Sequence, residues 1–353
     1  MDITKLIHIR DDGSVKLGNR VACDGGLLES EDFHIVTHAH KDHYKPQSVK
    51  ETWRKHHKKV YLSDLTMQLA DIYELSLIDN HGKREILEFN EPLIDENIEI
   101  KIIENGHILG SSQVQVIEEG VGRFGYSGDF CSQIEEFIDV DYLVLDSTYS
   151  GKTSNRTWTE KKCVEELVER VKSARQKGPV TILAVPGMLQ ETLYHIGELG
   201  YWDEVEYIIG DKITRHWSKV YDSQGLDQPK KVIIRDTEEG QFAMKDPKRI
   251  IVSHNRNPRS LPKGTVFKIS HFSPNNDKPI RSHSDNENLF TVGLTSHATG
   301  DDVLSYVENV NPELVITDSV RKERTANELK DKIYEKLNIR AIASNEIKRE
   351  NIN

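Results

Sequence analysis

The stretch Thr37-His38-Ala39-His40-Lys41-Asp42-His43-Tyr44 decides how this chain is read. It sets three histidines and an aspartate within six positions, directly after the β-prone run Phe33-His34-Ile35-Val36. A strand that empties into a loop aims alternate side chains to one side, so His38 and His40 converge. The turn that follows presents Asp42 and His43 to a second point. Neutral imidazole and carboxylate oxygen are ligands for zinc and neighbouring divalent cations, which such sites often hold in pairs about 3.5–4 Å apart. A solvated, histidine-rich turn is the plain alternative. Four ligand-type side chains at this spacing argue against it.

The surrounding chain has the make-up of an ordinary soluble protein. Its 353 residues are 36% hydrophobic, enough for about two domains or one large domain with an insertion. No apolar run is long enough to span a membrane and the N-terminus lacks a signal-peptide core, so a cytoplasmic protein without membrane partners is expected. Cys23, Cys131 and Cys163 lie far apart and read as reduced thiols rather than a zinc finger. The net charge of −11 excludes a protein that is basic throughout. The charge is uneven, however: residues 151–285 hold 23 Lys+Arg and 18 Asp+Glu, a local balance of +5. Chance variation in surface charge accounts for this nearly as well as a local polyanion does.

Apolar periodicity divides the chain further. Residues 98–106 and 112–120 are short β-type runs closed by glycine, and 141–149 (DYLVLDSTY) is a buried-type strand emptying into a polar turn. From Thr159 the pattern turns helical, with Val164, Leu167, Val168 and Val171 on one face and Gly178-Pro179 as terminator. Strand candidates then alternate with helices: 180–186, 206–210, 231–235, 249–253, 265–270, 289–297 and 313–317. The polar, turn-rich segment 272–287 reads as the place where the chain passes back between domains.

Four more sites share the form of a strand emptying a ligand-type residue into a loop: His107 in NGHILGSS, Asp129 in YSGDF, Asp146 in LDSTY and His297 in TSHATGDD. Singly each is an ordinary turn residue. In order behind THAHKDH they resemble the metallo-β-lactamase superfamily, specifically its β-CASP nuclease branch. The resemblance runs from Thr37 to Asp302. It implies an α/β fold, an αββα sandwich formed by residues 1–150 and 286–353, with an α/β β-CASP cap inserted at 151–285. It also implies that His38, His40 and His107 hold one metal, that Asp42 and His43 hold a second, and that Asp129 bridges them. Asp42, Asp146 and His297 would take part in the reaction, His297 as an acid oriented by Asp146. Zn²⁺ is the expected cofactor, as one or two ions.

One departure bears on the second ion. RNA-processing members commonly carry another ligand histidine in a V-H-G-E setting, where this chain has VITDSVRKE, with Asp318 and Ser319 at the corresponding point. The second ion should then be weaker, or be Mn²⁺ or Mg²⁺. That absence, with Asp rather than Glu in LDSTY, resembles Artemis- and Apollo-like DNA nucleases. The expectation is a metal-dependent nuclease acting on nucleic acid, with DNA favoured in an exonuclease or repair setting. An RNA-processing ribonuclease and a small ester or lactone hydrolase are the alternatives. Trp158 and Trp217 could stack on bases, though a core role suits them better.

Overall fold

Ile98–Glu104 buries Ile98, Ile100 and Ile102, and its sheet neighbours answer in register. Ile100 pairs with Val116 and Ile102 with Val114; Val116 and Val114 in turn pair with Phe124 and Tyr126. All seven side chains point into one apolar core. The computed structural model describes residues 3–26, 31–44, 57–73, 84–151, 156–254, 264–270 and 277–350. It divides into two units, Met1–Ser154 with Ser296–Asn353, and Asn155–Thr295.

The first unit contains two sheets. One runs in sequence order through β1 (Ile7–Ile9), β2 (Val15–Leu17), β3 (Val21–Cys23), β4 (Phe33–Ile35), β5 (Val60–Leu62) and β6 (Arg84–Ile86). The other contains β7 (Leu93–Asp95), β8 (Ile98–Glu104), β9 (Ser112–Glu118), β10 (Gly122–Tyr126), β11 (Tyr142–Leu145), β19 (Leu314–Thr317) and β20 (Arg340–Ala343), in the order β20-β19-β11-β10-β9-β8-β7. Ile7, Ile9, Val21 and Ile35 of the first sheet share one core with Ile100, Val114, Val144 and Ile316 of the second. Each such side chain contributes about 1.5–3 kcal/mol on burial. The period-2 alternation then puts Leu143, Leu145 and Val315 on the opposite face. There they pack with Val303, Leu304 and Val307 of helix α6 (Asp301–Val310) and Leu329 and Ile333 of α7 (Ser319–Leu337). Among the described residues the remaining α-helices of this unit are α1 (Asp64–Tyr73) and α8 (Ser344–Glu350), the latter beside β1.

The second unit is a seven-stranded sheet in the order β14-β13-β15-β12-β16-β18-β17. Its strands are β12 (Val180–Leu183), β13 (Ile208–Gly210), β14 (Val232–Ile234), β15 (Ile250–Ser253), β16 (Thr265–Ile269), β17 (Ile280–His283) and β18 (Asn286–Val292). All pair in parallel except β17, which is antiparallel to β18. Helices α2 (Glu160–Lys177), α3 (Met188–Glu198), α4 (Lys212–Ser223) and α5 (Glu238–Ala243) connect the strands. Thr159 caps α2 through a bond from the Lys162 N–H, and Val164, Leu167, Val168 and Val171 are buried as the periodicity predicts. Trp158 and Trp217 are both buried, so neither offers a face for stacking.

Two elements differ from the sequence reading for a local reason. Residues 280–287, read as part of the return between domains, belong instead to the hairpin β17–β18 of the second unit's sheet, and residues 272–276 of that segment lie outside the described residues. The strand expected to end on His297 stops at Val292, leaving His297 in a loop. The last long helix starts at Ser319, where the Asp318 carboxylate accepts the Val320 N–H and caps it. Among the described residues no helix is long and apolar enough to cross a membrane. Cys23, Cys131 and Cys163 are free thiols.

Candidate metal centre

The site grows out of strand ends in the first unit. Past β4, Thr37 is pinned by Asp24, whose carboxylate accepts the Thr37 N–H (2.8 Å) and hydroxyl (2.8 Å). The same carboxylate accepts a bond from His43 Nδ1 at 2.7 Å. Asp24 is fully buried and sits at φ 55°. Burial pushes its carboxyl up, but His43 and Thr37 outweigh that and hold it below the usual range. The Thr37 hydroxyl, donating to Asp24, in turn accepts from His38 Nδ1 at 3.1 Å. His107 Nδ1 donates to the Ser296 carbonyl at 3.0 Å. His38, His43 and His107 thus have Nδ1 committed to an oxygen, which leaves Nε2 as the lone pair facing the site. An oriented imidazole of this kind is what metal ligation requires.

The facing nitrogens converge. His38 Nε2 lies 3.0 Å from His40 Nδ1, and His107 Nε2 lies 3.2 Å from the same atom. Asp129 Oδ2 stands 4.0 Å from His38 Nε2 and 3.8 Å from His107 Nε2. The four donors lie within 4.8 Å of one another. Burial, then the neighbouring imidazoles, push His38 well below its ordinary pKa; for His107 burial is again the first cause. Both rings are therefore neutral at pH 7, and neutral rings turning lone pairs toward each other repel. A divalent cation resolves that repulsion. Tetrahedral coordination at 2.0–2.1 Å sets neighbouring nitrogens about 3.3 Å apart, close to the spacing found. The donor set fits a metal ion.

A second group shares Asp129. His297 Nδ1 donates to Asp146 Oδ2 at 2.8 Å, and its Nε2 points to Asp129 Oδ2 at 3.8 Å. Asp146 Oδ1 is held by the Thr148 N–H and hydroxyl, and the Asp146 N–H bonds Ser127 Oγ. His43 Nε2 lies 3.2 Å from Asp129 Oδ2 and 3.8 Å from Asp42 Oδ2. Asp42 is the outlying member, with its side chain 67% exposed. Among the described residues the sets of three or more converging donors are His38-His40-His107-Asp129 and Asp129-Asp146-His297. Asp318 belongs to neither.

Two residues that hold this arrangement were not singled out from sequence. Asp24, in VACDGG, has the look of a turn acid, and nothing local reveals that it orients His43. Asn105 is buried two positions before His107; its Nδ2 donates to the carbonyls of Ser127 and Asp129, and its Oδ1 accepts the His107 N–H. One amide therefore ties the His107 loop to the Asp129 loop. Gly128 is required beside it: at φ 58° a Cβ would meet the Ser112 carbonyl oxygen at 2.5 Å and Asn105 Nδ2 at 2.9 Å.

No family model matches the chain. Over 121 residues it is 28% identical to an uncharacterized protein in the lig 3′ region of Acidianus ambivalens, covering 33% of this chain and 84% of that protein. Transcription termination factor FttA of Methanothermobacter thermautotrophicus is 26% identical over 221 residues, 53% of this chain and 34% of FttA. An RNase J-like protein of Methanocaldococcus jannaschii is 27% identical over 190 residues, 45% of this chain and 42% of that protein. The matched regions thus span less than half of the latter two relatives. A crystal structure of a protein of unknown function from Enterococcus faecalis V583 superposes with a TM-score of 0.57 at 11% identity, over 93% of both chains, a likeness of fold alone. The distant relatives support the metallo-β-lactamase/β-CASP resemblance carried by the motifs.

Proposed function

We propose that this chain is a metal-dependent phosphodiesterase acting on nucleic acid, built as a metallo-β-lactamase sandwich with a β-CASP insertion. The observation that carries the reading is the four-donor set His38-His40-His107-Asp129 sharing its carboxylate with the Asp146–His297 pair. The layering of two sheets and outer helices in one unit, and a parallel α/β sheet in the other, supports the architectural part.

His38, His40, His107 and Asp129 would hold one ion, with Asp42 and His43 beside Asp129 for a second. A divalent cation bound there would neutralise phosphoryl oxygens and lower the pKa of a water molecule. The protein's own groups do the rest. Asp24, Thr37 and Ser296 fix the imidazole tautomers, so no ring must reorient during turnover. Asp146 accepts from His297 Nδ1 and stabilises the charged imidazole, which lets Nε2 carry a proton for a leaving sugar oxygen. His297 is partly open to solvent, its side chain 16% exposed, so Nε2 can be reprotonated between turnovers.

Asp146 and the Asp318–Ser319 pair lean toward DNA by resemblance, whereas the RNase J-like relative leans equally toward RNA. Both substrates therefore belong to the proposal. The test is degradation of end-labelled DNA and RNA, with and without a 5′-phosphate, before and after chelation. Cleavage that is lost on chelation, restored by added metal and absent in His38→Ala is the expected result. Wild-type metal content and cleavage in His38→Ala would overturn the assignment.

A further inference from the structure

Helix α4 has two unlike faces. Thr214, Trp217, Ser218 and Tyr221 are buried, and Asp211 caps the helix by accepting the Thr214 N–H. On the opposite face stand Lys212, Arg215, His216 and Lys219, spaced i, i+3, i+4 and i+7, with the three long cations exposed.

Five other cations of this unit are neutralised by a neighbouring carboxylate. Arg170 pairs with Glu166, Lys172 with Glu204, Lys230 with Asp203, Lys231 with Glu239 and Arg235 with Asp236. Among the described residues Lys212, Arg215 and Lys219 make no ion pair, and Asp222, one turn beyond Lys219, is not bonded to it. Like charges at i, i+3 and i, i+4 repel, and cations in the first turns of a helix oppose its dipole. The crowding is felt by His216, which burial, then Lys219, Arg215 and Lys212, push below its ordinary pKa. Such a face costs stability on its own and is relieved by an anion with several charges.

We propose that the Lys212–Arg215–Lys219 face of α4 is a contact surface for the phosphate backbone of a nucleic acid strand, a partner that rests on the function proposed above. The seven-residue span is about 10 Å long, and a strand of duplex presents a phosphate charge about every 3.4 Å of axis, so roughly three phosphates match three cations. Side chains of this kind read charge rather than sequence, so the contact is indifferent to base identity.

The experiment compares the wild type, Lys212→Gln/Arg215→Gln/Lys219→Gln, and a control that removes three paired cations, Lys172→Gln/Lys230→Gln/Lys231→Gln. Binding of a labelled single-stranded oligonucleotide is followed by fluorescence anisotropy from 50 to 200 mM salt. Hydrolysis of bis(4-nitrophenyl) phosphate is measured on the same preparations. Losing three contacts at about 0.7 per phosphate flattens the log–log salt slope by about 2, so the wild type loses about twentyfold more affinity across that range than the α4 variant. The control keeps the wild-type slope, and the small diester is turned over equally by all three. An α4 variant with the wild-type slope, or a control that falls as far, overturns the proposal while leaving the metal-centre reading untouched. Slope loss in a protein whose wild type cleaves neither diester nor oligonucleotide upholds the surface and overturns the nuclease. Loss of binding to anionic phospholipid vesicles with unchanged oligonucleotide binding assigns the face to a membrane and overturns the proposal.

Discussion

Replacing Asp24 by asparagine isolates what its charge does for the centre. The position has φ 55°, a left-handed conformation that asparagine tolerates and alanine does not, so Asp24→Asn keeps the backbone. The new amide oxygen can still accept from Thr37. Its nitrogen, however, faces His43 Nδ1, where the structure has a bond of 2.7 Å. Two donors cannot share that contact, so His43 must move its proton to Nε2, the atom now 3.2 Å from Asp129, and the lone pair there is lost. Exchanging a bond to a buried carboxylate for one between neutral groups costs about 1 kcal/mol of stability. Loss of the carboxylate behind a ligand histidine typically weakens metal affinity about 10–100-fold. Thermal unfolding of the chelated protein should therefore show a folded but less stable variant. Titration of zinc against a chromogenic chelator should show the weaker affinity. A variant with full metal affinity and a matching loss of stability would refute the argument, since Asp24 would then be only a turn residue.

His297→Ala should slow turnover by about 10²–10⁴-fold while metal content is unchanged; stoichiometric loss of metal in that variant would make His297 a ligand instead. The first donor set is complete with four members whereas Asp42 is mostly exposed and Asp318 is engaged as a helix cap, so purified protein should carry nearer one ion than two by elemental analysis. Added Mn²⁺ or Mg²⁺ should then stimulate activity, and two tightly held ions with no response to added metal would contradict this. Burial pushes Asp211 up, but His254 and the Thr214 N–H outweigh it and hold its carboxyl at about 2. A depressed carboxyl stabilises above its unfolded value and loses that contribution as pH falls. Because the side chain is 44% exposed, Asp211→Asn should cost only about 1 kcal/mol at pH 6. In denaturant melts the difference should fade between pH 4 and pH 2.

The parts of the site that sequence could reveal are those whose chemistry is unusual where they stand. Three histidines and an aspartate in one loop have few structural uses, and a histidine or aspartate at the end of each later strand repeats the theme. What stayed hidden depends on contacts across the chain. Asp24 meets its partners 13 and 19 positions on, and Asn105 bonds carbonyls 22 and 24 positions away. Neither has a local signature distinct from a turn. The end of β18 was misread because Leu289 to Val292 and Leu294 form one apolar run, although only the first part has a strand partner. Position 318 was read for its ligand chemistry, while locally its aspartate also suits a helix N-cap, the role it has here.

The first unit is discontinuous, and this sets the order in which the candidate centre can assemble. His297 and the Ser296 carbonyl that orients His107 both belong to the segment made after the second unit, as does β19, which pairs with β11. A ribosome adding about 5–20 residues per second needs roughly ten to thirty seconds to cover the roughly 170 residues from Asp129 to His297. Throughout that interval the first donor loops are present without His297 and without the Ser296 carbonyl. Parallel pairing over such a separation is also slow to form once the chain is whole. Until residues 296 and 297 have emerged, the centre proposed above lacks both the Asp146–His297 bond and the carbonyl that orients His107.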